Sequence, residues 1–172
     1  MEAKIVLNEL LYSSRARVYL VWAAIVGVGF IATHYYQQPG INGIWLVLSA
    51  IGFYCMTRAM PLGVRQMRNI YLAWLIPIGI GMVLSVLAVR TSIFPSLTGY
   101  LGPLWLIVMA FGYFWNGLAD SRSNWYYVAA VLNIAAAIMI YAIGDLLAVQ
   151  YLITAVISVW SMLLLWVFYS DL

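Results

Sequence analysis

The chain has 172 residues, of which 66% are hydrophobic and only 8% are charged. Ordinary soluble domains contain roughly 45–50% apolar and about 25% charged residues, which excludes a water-soluble fold. The net charge of +3 comes from basic residues scattered beside apolar segments, a pattern that favours lipid headgroups over nucleic acid as partners. We therefore expect residues 1–172 to form one integral membrane domain.

Cysteine and histidine are too scarce for most cofactor and metal chemistry. The single cysteine, Cys55, excludes an intrachain disulfide and a cysteine-based metal cluster. The single histidine, His34, excludes bis-histidine haem and multi-histidine metal sites within this chain. The sequence therefore predicts neither a cofactor nor a metal site.

The first predicted element is a short amphipathic helix over residues 1–14. One face carries Ala3, Val6, Leu7, Leu10 and Leu11, and the other carries Glu2, Lys4, Glu9 and Ser13. A helix of this kind lies in the membrane interface with its apolar face towards the lipid. We expect a surface anchor, and a docking element for a partner protein is the alternative.

Six apolar segments follow, each close to the length of about 20 residues that a helix needs to cross a bilayer. They cover approximately residues 16–36, 44–60, 70–89, 100–119, 125–144 and 150–169. Transmembrane β-strands would be shorter and would alternate apolar with polar residues, which these segments do not. Short connections with helix breakers make consecutive helices antiparallel neighbours. The predicted fold class is an all-α, six-helix antiparallel transmembrane bundle.

Basic residues are distributed unequally between the two sides of this bundle. Seven of the eight lie before or at the start of the first span, or in or beside the second and fourth connections: Lys4, Arg15, Arg17, Arg58, Arg65, Arg68 and Arg122. Only Arg90 belongs to the other set of connections. The positive-inside rule then predicts cytoplasmic N- and C-termini, with anionic headgroups bound at that face of a cell or inner membrane.

The remaining charged residues do not form an arrangement that could catalyse a reaction. Asp120 is expected on the cytoplasmic side and Asp145 on the outer side, which excludes a facing carboxylate pair. Arg90 and Asp145 are a candidate ion pair on the outer face, and an anion or substrate gate would use the same residues. Exposed pairs contribute only about 0–1 kcal/mol, so any structural role is small. We expect a protein that is not an enzyme.

Asn116 and Asn133 are the most polar side chains inside the predicted spans. At about 1.5 Å per residue, Asn133 lies roughly 12 Å into the membrane and Asn116 lies nearer the inner surface. Hydrogen bonds between helices are the main expectation for both amides. The alternative is a small polar cavity lined also by Tyr113 and Ser158.

The third span contains Pro77, Gly79 and Gly81, which remove backbone hydrogen bonds or loosen a helix. Interrupted helices line the sites of many transporters, so this segment is a further candidate for the lining of a path. The alternative is close helix packing, because Gly81 and Ser85 also fit a small-xxx-small pattern.

A faint internal repeat links the second and fourth spans. Residues 50–54 read Ala-Ile-Gly-Phe-Tyr and residues 110–114 read Ala-Phe-Gly-Tyr-Phe. Asn69 and Tyr71 after one loop are echoed by Asn124 and Tyr126 after the other. A duplication would relate two hairpins of the same orientation.

Three functions remain open. The leading hypothesis is an accessory or scaffold component that acts through contacts with helices, lipids, a membrane protein partner or a second copy of itself. The second is a small carrier or channel for a neutral or weakly polar solute, which predicts a cavity between hairpins. A solid core with Asn133 bonded internally would count against it. The third is a sensor with a closed apolar pocket for a lipophilic ligand.

Overall fold

A computed structural model of the chain describes residues 2–36, 40–60, 63, 65–90, 95–120 and 124–170. Within these residues the chain forms six long α-helices: α1 (Glu2–Tyr35), α2 (Ile41–Ala59), α3 (Arg65–Arg90), α4 (Leu101–Ala119), α5 (Trp125–Ala142) and α6 (Gln150–Ser170). Two short 3₁₀ segments, Pro95–Tyr100 and Gly144–Val149, lead into α4 and α6.

Among the described residues, six helices are long and apolar enough to cross a membrane. The qualifying segments are Ala16–Tyr35, Ile41–Ala59, Met67–Arg90, Ser96–Ala119, Trp125–Ala142 and Gly144–Tyr169. Their bounds fall within a few residues of the predicted spans. The all-helical class and its six candidate spans are therefore confirmed.

The N-terminal segment differs from the prediction of a separate interfacial helix. α1 runs without interruption over 34 residues, so the expected boundary near residue 15 is not a break in the backbone. The reason is local, since residues 2–26 contain no glycine or proline and are rich in good helix formers. The amphipathic face predicted for residues 1–14 falls on side chains outside the described set.

Hydrogen bonds at each end of the bundle establish the antiparallel order. Tyr169 at the end of α6 donates to Asp120 after α4 and to Tyr126 at the start of α5. At the other end, Trp45 near the start of α2 donates to Thr33 near the end of α1. We call the end of the bundle that contains Tyr169 the terminal end, because α6 ends there. We call the end that contains Trp45 the loop end.

Four tryptophans are buried: Trp22, Trp45, Trp74 and Trp105. The tryptophan of α1 packs on a glycine of α2, and the tryptophan of α2 packs on a glycine of α1. A Cβ added to Gly29 of α1 would lie 2.5 Å from Cη2 of Trp45 in α2. A Cβ added to Gly52 of α2 would lie 2.7 Å from Cζ2 of Trp22 in α1. Both distances are shorter than any normal van der Waals contact, so each indole lies directly on the glycine backbone.

The third and fourth helices exchange tryptophans in the same way. A Cβ on Gly81 of α3 would lie 3.0 Å from Cζ3 of Trp105 in α4. A Cβ on Gly112 of α4 would lie 2.7 Å from Cζ3 of Trp74 in α3. The hairpins α1–α2 and α3–α4 are thus built on one plan, and we refer to them as the paired hairpins.

The plan corresponds to a spacing in the sequence. Each of the four helices carries Trp followed seven residues later by Gly, at Trp22–Gly29, Trp45–Gly52, Trp74–Gly81 and Trp105–Gly112. Seven residues are almost two helical turns, so the indole and the glycine share a face. In an antiparallel pair, each indole then meets the glycine of its partner.

The hairpin α5–α6 departs from this plan. Its tryptophans are not followed by glycine at that spacing, and Trp125 and Trp160 are exposed on the surface of the bundle. α6 packs most extensively against α1, and α5 against α4, so the third hairpin closes the bundle beside the paired hairpins.

Candidate functional site

A cavity of about 550 Å³ opens at the loop end of the bundle. The paired hairpins supply Phe30, Thr33, Ile41, Asn42, Trp45, Met82, Ser85, Val89, Thr98, Gly99, Leu101 and Trp105. The second 3₁₀ segment and α6 supply Leu147, Ala148, Gln150 and Tyr151. We call this the loop-end cavity.

Many of the residues that line the cavity occupy equivalent positions in the two paired hairpins. Residues at matching positions relative to the tryptophans and glycines are Phe30 and Met82, Thr33 and Ser85, Ile41 and Leu101, and Trp45 and Trp105. The cavity therefore lies where two similar units face each other. In membrane carriers built from repeats, substrate sites occupy such interfaces.

Two stacked indoles are its central feature. The rings of Trp45 and Trp105 have centroids 5.8 Å apart and planes 12° from parallel. Phe30 contacts both rings, with its centroid 4.7 Å from Trp45 and 6.2 Å from Trp105. Offset stacked and edge-on arrangements are the favoured geometries of aromatic rings. The three rings form one rigid aromatic wall.

Hydroxyl groups fix the orientation of both indoles. Trp45 Nε1 donates to Thr33 Oγ1 at 2.9 Å, and Trp105 Nε1 donates to Ser85 Oγ at 3.0 Å. Thr33 and Ser85 each lie four residues after the glycine on which the opposite indole packs. The indole N–H groups are thus satisfied within the bundle, and both rings are held in fixed orientations.

Gln150 connects the third hairpin to the start of α4. Its Oε1 accepts a hydrogen bond from the backbone N–H of Gly102 at 2.8 Å, and its Nε2 donates to the carbonyl oxygen of Gly99 at 3.0 Å. The first N–H groups of a helix have no partner within the helix, so this amide satisfies one of them. Gln150 therefore holds α6 and α4 together at the edge of the cavity.

The remaining polar groups of the lining are neutral. Among the described residues that line the cavity, none carries an acidic or basic side chain. Asn42 Nδ2 is buried and has no hydrogen-bond partner within the described part of the chain. The cavity thus offers aromatic surface, aliphatic surface and one available amide donor.

The residues singled out from the sequence lie elsewhere. Asn133, Asn116, Tyr113, Ser158, Pro77, Gly79 and Gly81 are not among the residues that line the loop-end cavity. Gly81 comes nearest, because Trp105 packs on it. Gly79 faces outward in a shallow groove with Ile76 and Ile80. α3 continues through the buried Pro77, so the expected interruption of this helix is not present.

The expected partners on the outer face are both exposed. Arg90 ends α3 and Asp145 lies in the second 3₁₀ segment. The structure records no ion pair between these two described side chains.

The interior of the bundle holds a second group of polar residues. Asn133 Nδ2 donates to Ser161 Oγ at 2.9 Å and to the carbonyl oxygen of Ala129 at 2.8 Å. Asn116 Nδ2 donates to the carbonyl oxygen of Gly112 at 2.7 Å. Asn133 and Asn116 are completely buried. The Asn133–Ser161 bond is a hydrogen bond between helices of the kind expected from the sequence.

Asp120 follows α4 at the terminal end of the bundle, in the connection that the sequence predicts. Its side chain is only 1% exposed, and its Oδ2 accepts a hydrogen bond from the Tyr169 hydroxyl at 2.6 Å. The hydroxyls of Tyr19 and Tyr126 are hydrogen-bonded to each other, and the Tyr169 hydroxyl lies 3.2 Å from the Tyr126 hydroxyl. We call these four residues the terminal-end cluster. Tyr169 from α6 thus bonds to a buried carboxyl group, and Tyr126 from α5 and Tyr19 from α1 extend the hydrogen-bonded cluster.

The lining of the loop-end cavity was missed because its signal is a spacing rather than a polar residue. No tryptophan was among the candidate residues, although Trp22, Trp45, Trp74 and Trp105 each precede a glycine by seven residues. The repeat noticed between the second and fourth spans contains two of those glycines, Gly52 and Gly112. Extending that comparison to the first and third spans would have pointed to the cavity.

No family model matches the chain, and neither the curated proteins nor the solved structures include a significant match to it.

Proposed function

We propose that this is a non-enzymatic membrane protein that binds a small neutral molecule in the loop-end cavity. The observation that carries the proposal is the stacked pair Trp45 and Trp105 at the interface of two equivalent hairpins. The cavity volume of about 550 Å³ falls in the usual range of small-molecule sites, roughly 300–1,000 Å³. Rigid aromatic walls favour binding because little conformational freedom is lost when a ligand enters.

The lining favours a neutral, partly apolar ligand with a hydrogen-bond acceptor. An ion transferred into this lining would lose its hydration and find no opposite charge among the described lining residues. A flat ring or hydrocarbon group fits against the indoles and Phe30. Asn42 Nδ2 has no partner among the described residues, and rotation of this side chain into the cavity would let it donate one hydrogen bond to such a molecule.

Two of the three predicted roles use this site. A carrier for a neutral solute and a sensor of a lipophilic molecule both require a neutral cavity, and polar groups beside the aromatic wall favour the carrier. The internal bond of Asn133 counts against a carrier, although Asn133 Oδ1 has no partner among the described residues. A solid core would also count against it, but Trp105 lines the cavity and Trp160 faces outward and does not fill the core. The scaffold role stays a prediction, because no feature described above tests it.

The same proposal includes an orientation in which the terminal end faces the cytoplasm and its anionic headgroups. The distribution of basic residues supports it. In a Cys55→Ser background, we expect Gly144→Cys to react with a membrane-impermeant maleimide on intact cells and Gly63→Cys to react only after lysis. Both glycines have open space around an added Cβ. The reverse labelling pattern would overturn the orientation.

Benzamide and benzoate provide a direct test of the neutral site, since they share a shape and differ in charge. We expect saturation-transfer NMR to detect benzamide, and not benzoate, on the full-length protein in lipid nanodiscs above empty nanodiscs. Ala148→Trp places a bulky ring in the cavity lining, and we expect it to weaken benzamide binding about tenfold or more, equivalent to about 1.4 kcal/mol.

Ala142→Trp is the matched control, because Ala142 is exposed at the same end of the bundle and does not line the cavity. We expect it to bind benzamide as the wild type does. Equal binding of benzoate and benzamide, or no loss of binding with Ala148→Trp, would refute the proposed site.

A further inference from the structure

One face of α6 carries polar residues along its whole length. Gln150, Thr154, Ser158, Ser161 and Tyr169 are all buried in the bundle. Their spacings of three, four and eight residues keep them on one side of the helix. Gln150 borders the loop-end cavity, and Tyr169 belongs to the terminal-end cluster. With a rise of about 1.5 Å per residue these two residues lie about 28 Å apart, close to the thickness of a hydrocarbon core.

Two neighbouring helices direct polar side chains towards the same interior. α4 contributes Tyr113 and Asn116, which are three residues apart, and α5 contributes Asn133. The bond from Asn133 to Ser161 joins α5 to the polar face of α6. Polar groups from three helices therefore meet between the cavity and the terminal-end cluster.

Four atoms in this interior lack hydrogen-bond partners in the described part of the chain. They are Tyr113 Oη, Asn116 Oδ1, Asn133 Oδ1 and Ser158 Oγ, and all four residues are 0% exposed. Buried polar atoms are nearly always paired, because an unpaired group loses its hydration without compensation. A concentration of four such atoms on three packed helices is a site that favours a hydrogen-bonding guest.

The hydroxyl of Ser158 differs from the hydroxyls of other serine and threonine residues in the helices. Thr33, Thr57, Thr154 and Ser161 each donate a hydrogen bond to the carbonyl oxygen four residues earlier in their own helix. Ser158 has the same local option within α6 but no partner in the structure. Its hydroxyl therefore has an unused hydrogen bond on the polar face of α6.

We infer that these groups form a path for small neutral hydrogen-bonding solutes, from water to glycerol in size, between the loop-end cavity and the terminal end. The inference rests on the proposed function, with the cavity serving as its entrance. The four unpaired atoms and the hydroxyls of α6 replace the water molecules that such a solute loses on entering the membrane. Ions are disfavoured, because the path carries no charged side chain before Asp120.

Stopped-flow light scattering on proteoliposomes that contain the full-length protein tests the path directly. We expect glycerol and urea to enter these vesicles at least fivefold faster than protein-free vesicles. Asn133→Leu replaces the amide by an apolar group of the same branched shape, and Ser158→Val replaces a hydroxyl by a methyl group and adds bulk. We expect either variant to reduce the rate to near that of empty vesicles.

Thr57→Val is the matched control, because Thr57 is exposed on α2 and bonds only to its own helix. It should retain the wild-type rate. Circular dichroism of the reconstituted variants verifies that they are folded, and Ser158→Val serves as the test if Asn133→Leu does not fold.

The possible results separate the path from the cavity. Wild-type vesicles that take up glycerol no faster than empty ones, while the protein still binds benzamide, would overturn the path and leave the site. Fast uptake that is unchanged in folded Asn133→Leu and Ser158→Val would also overturn it. Uptake that depends on Asn133 and Ser158 without benzamide binding would support the path and refute the proposed site.

Discussion

The paired hairpins and the third hairpin solve the same problem in different ways. Helices in lipid gain little from the hydrophobic effect on association, so they depend on close packing and on hydrogen bonds between side chains. The paired hairpins place large indoles on bare glycine backbone. The α5–α6 hairpin instead buries hydroxyl and amide groups and leaves Trp125 and Trp160 on its surface.

In the proposed function, this difference corresponds to two roles within one bundle. Shape complementarity makes the paired hairpins rigid, which suits a cavity wall that must keep its form. Hydrogen-bonding groups make α6 suited to exchange one polar partner for another. The contrast also shows that a tryptophan count is uninformative until each tryptophan is assigned to an interior or a lipid-facing position.

The largest expected effect comes from filling a glycine contact of the paired hairpins. Gly29→Ala introduces a Cβ 2.5 Å from the Trp45 ring, which must shift and strain both its stack with Trp105 and its bond to Thr33. We expect the free energy of unfolding to fall by about 1–3 kcal/mol, the usual effect of overpacking. Denaturant titration in detergent micelles measures the change.

Gly79→Ala is the control for this substitution. Gly79 lies inside a helix with nothing within 4 Å of an added Cβ, so alanine should stabilise the helix by about 0.5–1 kcal/mol. If both variants change stability in the same direction and by similar amounts, close indole packing does not distinguish the paired hairpins.

The second effect tests the terminal-end cluster, where the third hairpin meets α4. Tyr169→Phe removes the hydrogen bond to Asp120 and the contact with the Tyr126 hydroxyl while the ring remains. Hydrogen bonds to charged groups contribute about 1.5–3 kcal/mol, and we expect a loss of stability of that order. Tyr141→Phe, at a tyrosine that is 70% exposed, should change stability by less than about 0.5 kcal/mol. Equal stability of the two variants would contradict this role of the cluster.

The third effect tests whether the paired hairpins are equivalent. Trp105→Phe loses the bond to Ser85, and Trp45→Phe loses the matching bond to Thr33. Each should lower the free energy of unfolding by about 1–2 kcal/mol from the lost hydrogen bond and the smaller ring. Trp160→Phe, at a residue 59% exposed, should be nearly neutral. Markedly unequal losses at Trp45 and Trp105 would argue against a common plan.

The sequence was sufficient for the elements and insufficient for their contacts. Apolar length and turn residues predicted the spans to within a few residues, because crossing a membrane requires a nearly fixed number of helical residues. Which face of each helix turns inward was not evident, since the lipid-facing side is as apolar as the core. Asn133 was still recognised, because a buried amide requires a partner in any arrangement. The burial of Asp120 was not recognised from the sequence, because side chains from separate helices create it.

The smallest expected effect distinguishes the two serines on the polar face of α6. Ser161→Ala removes the bond to Asn133, and hydrogen bonds between membrane helices contribute about 0.6 kcal/mol on average, so a loss of that size is expected. Ser158→Ala removes a hydroxyl without a partner, and it should leave stability unchanged or slightly higher, because an unpaired buried group is unfavourable. Chemically identical substitutions three residues apart should thus differ in effect in the same denaturant titration, with a loss of stability only at Ser161. A loss at Ser158 as large as that at Ser161 would mean that Ser158 already has a stable partner, and the polar face of α6 would then be structural along its whole length.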